Sequence, residues 1–299
     1  MVPIFYSPAY TLSAHAFDTT RKAAWIAESL HRDPIAGLCL EEPTPLTRDP
    51  IGAVHDPEYV RAVETGAPRP LAQSQGFAWD PNLWPMVLAS NGGVVAAVRA
   101  ALEDGVAGSL SSGLHHARRE SGRGFCTFNG LVIAAREALA LGARSVLILD
   151  FDAHCGGGTA SLIRDEPRMA QRDVSVSAFD AYPDDDHSRL TLVNEASEYL
   201  PTIQSELEDV DREGQSWDLC LYNAGMDPFE CCAIGGLTGI HAAMLEARER
   251  RVFEWAARRH MPIAFVMAGG YVGASLDRNG LVALHRATLE CATKSKAQD

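Results

Sequence analysis

The apolar positions fall into short dense runs separated by longer stretches with helical spacing. Residues 145–150, 217–223 and 262–267 are such runs, each ending at Asp, Asn or small residues. They predict strands buried on both faces, as in a parallel sheet. Weaker strand patterns lie at 3–6, at 108–114 leading to His115-His116, and at 173–178 running into Asp184-Asp185-Asp186. Helical spacing occupies 20–30, 82–102 (one helix or two), 129–141, 238–259 and 276–291, and Gly142 supplies a stop for the third. Residues 41–82, rich in Pro, Asp and Gln, predict loops around a short helix near 57–64. This alternation predicts an α/β fold over 1–299, a single-domain three-layer α/β/α arrangement with a mostly parallel central sheet. No internal repeat, low-complexity segment or linker divides the chain.

Chemistry gathers where these strands end. After 145–150 the chain reads Asp150-Phe151-Asp152-Ala153-His154-Cys155-Gly156-Gly157-Gly158. Alternate side chains of an extended chain share a face, so Asp150, Asp152 and His154 are expected to project together. They do so from the strand's carboxyl end, where open α/β sheets bind ligands. One Asp and one His, with a carboxylate from elsewhere, make a metal site with a position open for water. Three more strand ends carry reactive groups: Gly113-Leu114-His115-His116-Ala117, Asn223-Ala224-Gly225-Met226-Asp227-Pro228 and Met267-Ala268-Gly269-Gly270-Tyr271. Taken singly, each also has an ordinary reading as core histidines, an Asp-Pro turn or a mobile glycine turn.

Composition narrows the partners. A formal charge of −13 argues against nucleic acid and is compatible with a cationic substrate. Seven cysteines, an odd number without framework spacing, predict reduced thiols and a cytoplasmic setting. The first ten residues lack the basic start of a signal peptide, and no apolar run approaches the ~20 residues of a membrane span. The expectation is a cytoplasmic protein with no membrane partner.

In this order the four strand ends resemble the histone deacetylase superfamily, which includes acetylpolyamine amidohydrolases and related bacterial deacetylases. Other pieces carry the same resemblance. Gly124-Phe125-Cys126-Thr127-Phe128-Asn129 is similar to the family's Gly-Phe-Cys-x-x-Asn stretch, and Val54-His55-Asp56-Pro57-Glu58-Tyr59 to its His-x-x-x-Tyr element. Gly235-Gly236-Leu237-Thr238 is similar to its Gly-x-Leu-x-x-Thr turn, one position shorter. The likeness runs from Tyr6-Ser7-Pro8 to the helix after Tyr271.

The resemblance implies an arginase/deacetylase-like fold and a metal-dependent deacetylase. Its substrate would be an acylated amine, either an acyl-lysine peptide or an acetylpolyamine. Asp152, His154 and Asp227 would ligate one Zn²⁺, with Fe²⁺ the alternative. His115 and His116 would be the paired active-site histidines, with Asp150 behind His115, and Tyr271 would donate to the substrate carbonyl. Phe125 would wall a narrow tunnel, with Phe179 or Tyr182 opposite. A structural monovalent cation, K⁺, would lie behind Asp150 with help from Asp152, His154 and Ser177. These parts suit amide hydrolysis, which needs an activated water, a polarised carbonyl and a proton for the departing amine.

Three departures qualify the match. Gly157 stands where the family carries an Asp or Asn that orients the second histidine, so His116 lacks that partner unless a nearby residue compensates. On that reasoning, Gly157→Asp or Gly157→Asn should raise turnover. Cys155 replaces a second His and is either a thiol open to metal or oxidation, or a buried small residue. Leu110-Ser111-Ser112-Gly113-Leu114 replaces the usual Arg-Pro-Pro-Gly. Two rival readings follow. A ureohydrolase would need a carboxylate where Gly156 stands, and a non-catalytic metal-binding scaffold takes its support from Gly157. The acidic run 184–186 either attracts a cationic substrate or is a solvated loop.

Overall fold

The computed structural model describes residues 1–15 and 18–296. Among the described residues, eight strands form one parallel sheet: β1 (Val2–Phe5), β2 (Leu38–Glu41), β3 (Val106–Ser109), β4 (Val146–Asp150), β5 (Met169–Ser175), β6 (Ser188–Leu192), β7 (Leu219–Gly225) and β8 (Ile263–Ala268). Their order across the sheet is β2-β1-β3-β8-β7-β4-β5-β6. Among the described residues, ten α-helices accompany them. The first five are α1 (Asp18–Arg32), α2 (Arg48–Gly52), α3 (Pro57–Thr65), α4 (Arg69–Ala72) and α5 (Leu83–Asp104). The others are α6 (Gly130–Ala140), α7 (Gly157–Ile163), α8 (Ala196–Glu213), α9 (Ala242–Arg258) and α10 (Arg278–Lys296).

Strand alternation divides the core into two layers. Leu147 and Leu149 of β4, Tyr222 of β7 and Phe265 of β8 pack with α1, α8, α9 and α10. Val146, Ile148, Leu221 and Val266, their neighbours along the chain, pack with α3, α5 and α6 on the opposite face. Burial on both faces explains why β4, β7 and β8 read as continuous apolar runs. The α/β/α layering and the parallel sheet are those expected.

Local chemistry sets several boundaries. Asn129 opens α6 by accepting the Val132 N–H on its side chain (3.0 Å), while Asp56 caps α3 ahead of Pro57. The strand expected at 108–114 is β3 and stops at Ser109, so a loop delivers the histidine pair. The strand expected at 173–178 is β5, displaced toward the N-terminus. The helix expected from 238 begins at Ala242. β2, β6 and α8 were absent from the sequence pattern. β2 and β6 are short strands at the two sheet edges, and α8 is a surface helix whose apolar positions are diluted by acidic ones. The segment at 82–102 is one helix, α5, long and apolar enough by length and composition to cross a membrane, contrary to expectation. The protein itself buries 67% of its most apolar window.

Candidate active site

The carboxyl ends of five adjacent strands, β3, β8, β7, β4 and β5, converge on one site. β4 ends at Asp150, so Asp152 and His154 reach the site through a bend rather than by strand alternation. Asp227 arrives two residues after β7. His154 Nδ1 lies 3.2 Å from Asp152 Oδ1 and 3.1 Å from Asp227 Oδ2. One donor atom from each residue falls within 4.8 Å of the others, and all three are buried.

Two glycines make room for this cluster. A Cβ on Gly269 would lie 2.1 Å from Asp227 Oδ1 and 2.5 Å from Asp152 Oδ2. One on Gly225 would lie 3.0 Å from an oxygen of each carboxylate. Burial alone favours the neutral acids. His115 and His154 nevertheless hold Asp152 well below its usual range, whereas burial and the charge of Asp152 push Asp227 up. Burial opposes protonation of His154, but Asp152 and Asp227 raise it to about 10. Two buried carboxylates that draw a cation onto one imidazole nitrogen fit a divalent ion.

Beside this cluster runs a five-member chain. His115 Nδ1 donates to Asp150 Oδ2 at 2.8 Å, and Asp150 Oδ1 accepts from Asn223 Nδ2 at 2.8 Å. The Nε2 atoms of His115 and His116 are 3.1 Å apart. His116 Nδ1 donates to Asp180 Oδ2, also at 3.1 Å. Burial opposes charge on both rings, but the carboxylates of Asp150 and Asp152 raise His115 to about 10. Burial and the neighbouring His115 lower His116 to about 4. With Nδ1 donating to Asp180, neutral His116 carries its ring lone pair on Nε2.

Asp180 was not among the residues singled out from the sequence, and it is the neighbour that compensates for Gly157. Its side chain is buried, and its Oδ1 also meets Arg118 Nη2 (2.5 Å) and Arg123 Nε (3.1 Å). A Cβ on Gly157 would lie 2.2 Å from the Asp180 backbone oxygen. The expected gain from Gly157→Asp or Gly157→Asn is therefore withdrawn: the space is occupied.

A cavity of about 250 Å³ opens over these groups. Its walls include Phe125, Phe179, Tyr271 and Ile234, with His116 and His154 at its polar end. Phe179 stands edge-on to His116, with ring centroids 5.0 Å apart, and Phe125 lies 6.5 Å from Tyr271. Burial and nearby carboxylates push the Tyr271 hydroxyl far above its ordinary range, so it remains a donor. Of the two candidates for the second wall, Phe179 takes the place. Tyr182 lies outside the cavity lining, and its hydroxyl accepts from Gln171 Nε2 (2.8 Å).

The remaining site residues sort as follows. Ser177 lines the cavity and is bridged by backbone to His154, while Ser175 donates to the buried Asp173 at 2.6 Å. Burial and Asp150 raise Asp173, which faces Asp150 across the sheet, to about 8. The Cys155 thiol is buried, donates to Ser177 O (3.2 Å), and is pushed up to about 12, as suits a packed small residue. In the acidic run, Asp184 and Asp185 accept backbone N–H groups of residues 187, 188 and 190. Asp185 and Asp186 line a separate hollow with Arg172 and Arg189.

A family model described as the histone deacetylase domain matches residues 15–286. The chain belongs to this family. This family member is 33% identical to an uncharacterized protein of Picosynechococcus, covering 78% of its own length and 79% of the relative. It is 27% identical to histone deacetylase 2 of Arabidopsis thaliana, over 94% and 80% of the two chains. Its fold matches the crystal structure of acetylpolyamine aminohydrolase from Burkholderia pseudomallei with a TM-score of 0.77. That match covers 98% of both chains at 18% identity, a likeness of fold.

Proposed function

We propose that this deacetylase-family protein hydrolyses acylated amines with one divalent ion held by Asp152, His154 and Asp227. The observation that carries the reading is the meeting of those ligands, the histidine pair and Tyr271 at the end of one apolar-walled cavity. One nitrogen and two carboxylate oxygens suit Zn²⁺ and also Fe²⁺. When bound, such an ion lowers the pKa of water to roughly 7 and polarises a carbonyl. A monovalent ion, K⁺, is proposed behind Asp150, which pairs in register with the buried Asp173 of β5, with help from Asp152, His154 and Ser177.

The chain's own groups supply the other steps. Phe125 and Phe179 hold the acyl-bearing arm and keep bulk water from the reacting amide. Tyr271 donates its hydroxyl to the amide oxygen as negative charge develops there. His116, neutral with Nε2 unprotonated, takes the water's proton and delivers it to the departing nitrogen. Water and amide become carboxylic acid and amine, with the proton balance closed at His116. His115, oriented by its 2.8 Å hydrogen bond to Asp150, stands beside His116.

We place the substrate among acyl-lysine peptides rather than polyamines. No acidic side chain lines the cavity among the described residues, and the guanidinium of Arg123 stands over Phe179 at 5.1 Å. With no carboxylate in that lining, the second ammonium of a polyamine would find no partner there. Gly157 no longer favours the scaffold reading, because Asp180 gives His116 a carboxylate. The test is acetate release by Zn²⁺-reconstituted protein from acetyl-lysine peptide and N-acetylated polyamine side by side, with a chelated control. Metal-dependent release, faster from the peptide, is expected. Silence on both substrates with one ion bound overturns the proposal, and a polyamine preference overturns the substrate assignment.

A further inference from the structure

We propose that Asp180, carried on the loop after β5, is the positioning residue of His116, taking by a different route the task that Gly157 cannot perform. The proposal rests on the reading of His116 as the proton carrier. A carboxylate only accepts, so the 3.1 Å contact to Oδ2 requires the His116 proton to sit on Nδ1. That leaves Nε2, on the side of His115 and the cavity, as the basic nitrogen.

Three observations make this a built arrangement. The Asp180 carboxylate is buried and held from its other side, with Oδ1 meeting Arg118 and Arg123, so Oδ2 is fixed toward the ring. The Asp180 backbone is left-handed, φ 63°, where a residue with a Cβ is strained and glycine is not. Glycine there would relax the backbone; aspartate supplies what glycine cannot. Finally, positions 157 and 180 exclude each other. The Asp180 carbonyl oxygen fills the space of a side chain at 157, and Arg118 Nη1 donates to the Gly157 carbonyl at 3.1 Å, tying the two segments together. Cys155 N–H donates to Phe179 O at 3.0 Å and fixes the loop just before Asp180.

The test uses Asp180→Gly, which removes the carboxylate without straining the backbone, and Asp180→Asn, which keeps an accepting oxygen. Nitrogen-15 spectra of histidine-labelled protein, with the His116 signals assigned by their loss in His116→Gln, report which ring nitrogen carries the proton. Parent and Asp180→Asn should show the Nδ1–H form, and Asp180→Gly a mixture. On the Zn²⁺-loaded enzyme, Asp180→Gly should lower kcat by about 10–100-fold with KM within about threefold. Asp180→Asn should recover most of that loss. An unchanged His116 tautomer in a folded Asp180→Gly, or its unchanged kcat, overturns the proposal. The spectra need no turnover: if the parent is silent on every acyl substrate, the function proposed above fails while the tautomer alone decides the role of Asp180.

Discussion

Replacing Gly157 with alanine probes the packing between the glycine-rich turn and the Asp180 loop. The new methyl would lie 2.2 Å from the Asp180 carbonyl oxygen, 3.0 Å from its Cγ and 3.1 Å from Arg118 Nη2. Close carbon–oxygen contacts are rarely shorter than about 3.3 Å, so the first is short by roughly 1.1 Å. The arginine tip can swing away; the carbonyl belongs to backbone and cannot. Moving the loop by that amount stretches the His116–Asp180 bond, now 3.1 Å, to about 4 Å, beyond hydrogen-bonding reach. Overpacking of this kind costs about 1–3 kcal/mol. Alanine recovers about 0.4–1 kcal/mol by restricting the unfolded chain. The net expectation is a loss of up to about 2.5 kcal/mol in urea unfolding, with kcat reduced about 10–100-fold. The two readouts should fall together. A Gly157→Ala protein as stable and as active as the parent would refute the steric argument, and with it the claim that position 157 is closed to side chains.

Other outcomes follow from the same geometry. Asp227→Ala should abolish binding of the divalent ion and activity together, as read by metal analysis and acetate release; a full complement of ion would remove Asp227 from the ligand set. Tyr271→Phe should keep the ion while kcat falls by about 10²–10³, and unchanged turnover would sink its carbonyl-polarising role. His55 is held neutral by burial, at about 4 in the folded protein, with Nδ1 donating to Arg118 O and Nε2 accepting from Asn129 N–H. Its folded pKa lies below its unfolded value of about 6.5, so its stabilisation is complete above about pH 6.5 and is lost as pH falls toward 4. Between pH 7 and 4.5 the parent should lose about 2–3 kcal/mol more than His55→Gln in denaturant titrations; equal losses would show that His55 does not titrate as the structure implies.

The fold was legible where a segment's own sequence carries the whole physical cause. β4, β7 and β8 need apolar side chains on both faces, and their own sequences supply them in continuous runs. α8 was illegible because its buried residues, Tyr199, Ile203, Leu207 and Val210 among them, are diluted by acidic positions and interrupted by Pro201. At the site, Asp152, His154, Asp227, the histidine pair and Tyr271 were legible as motifs, and the structure brings them together. Tyr182 and Asp180 were not, for a shared reason. Two residues apart on one loop, they take opposite directions set by backbone angles that no spacing rule encodes. The available signal was the Gly157 departure itself, which leaves a buried histidine in need of an acceptor. An aspartate just after the tunnel phenylalanine was the nearest candidate to supply one.

The mutual exclusion of residues 157 and 180 also bears on ancestry. An acid at 157 and the loop that brings Asp180 to His116 cannot occupy the same space, so neither arrangement changes into the other one substitution at a time without an intermediate that is crowded or lacks the carboxylate. A lineage crossing between them must remodel the loop and the glycine turn together. Phe179 rides on that same loop, so inheriting this way of holding a proton also meant inheriting one wall of the tunnel.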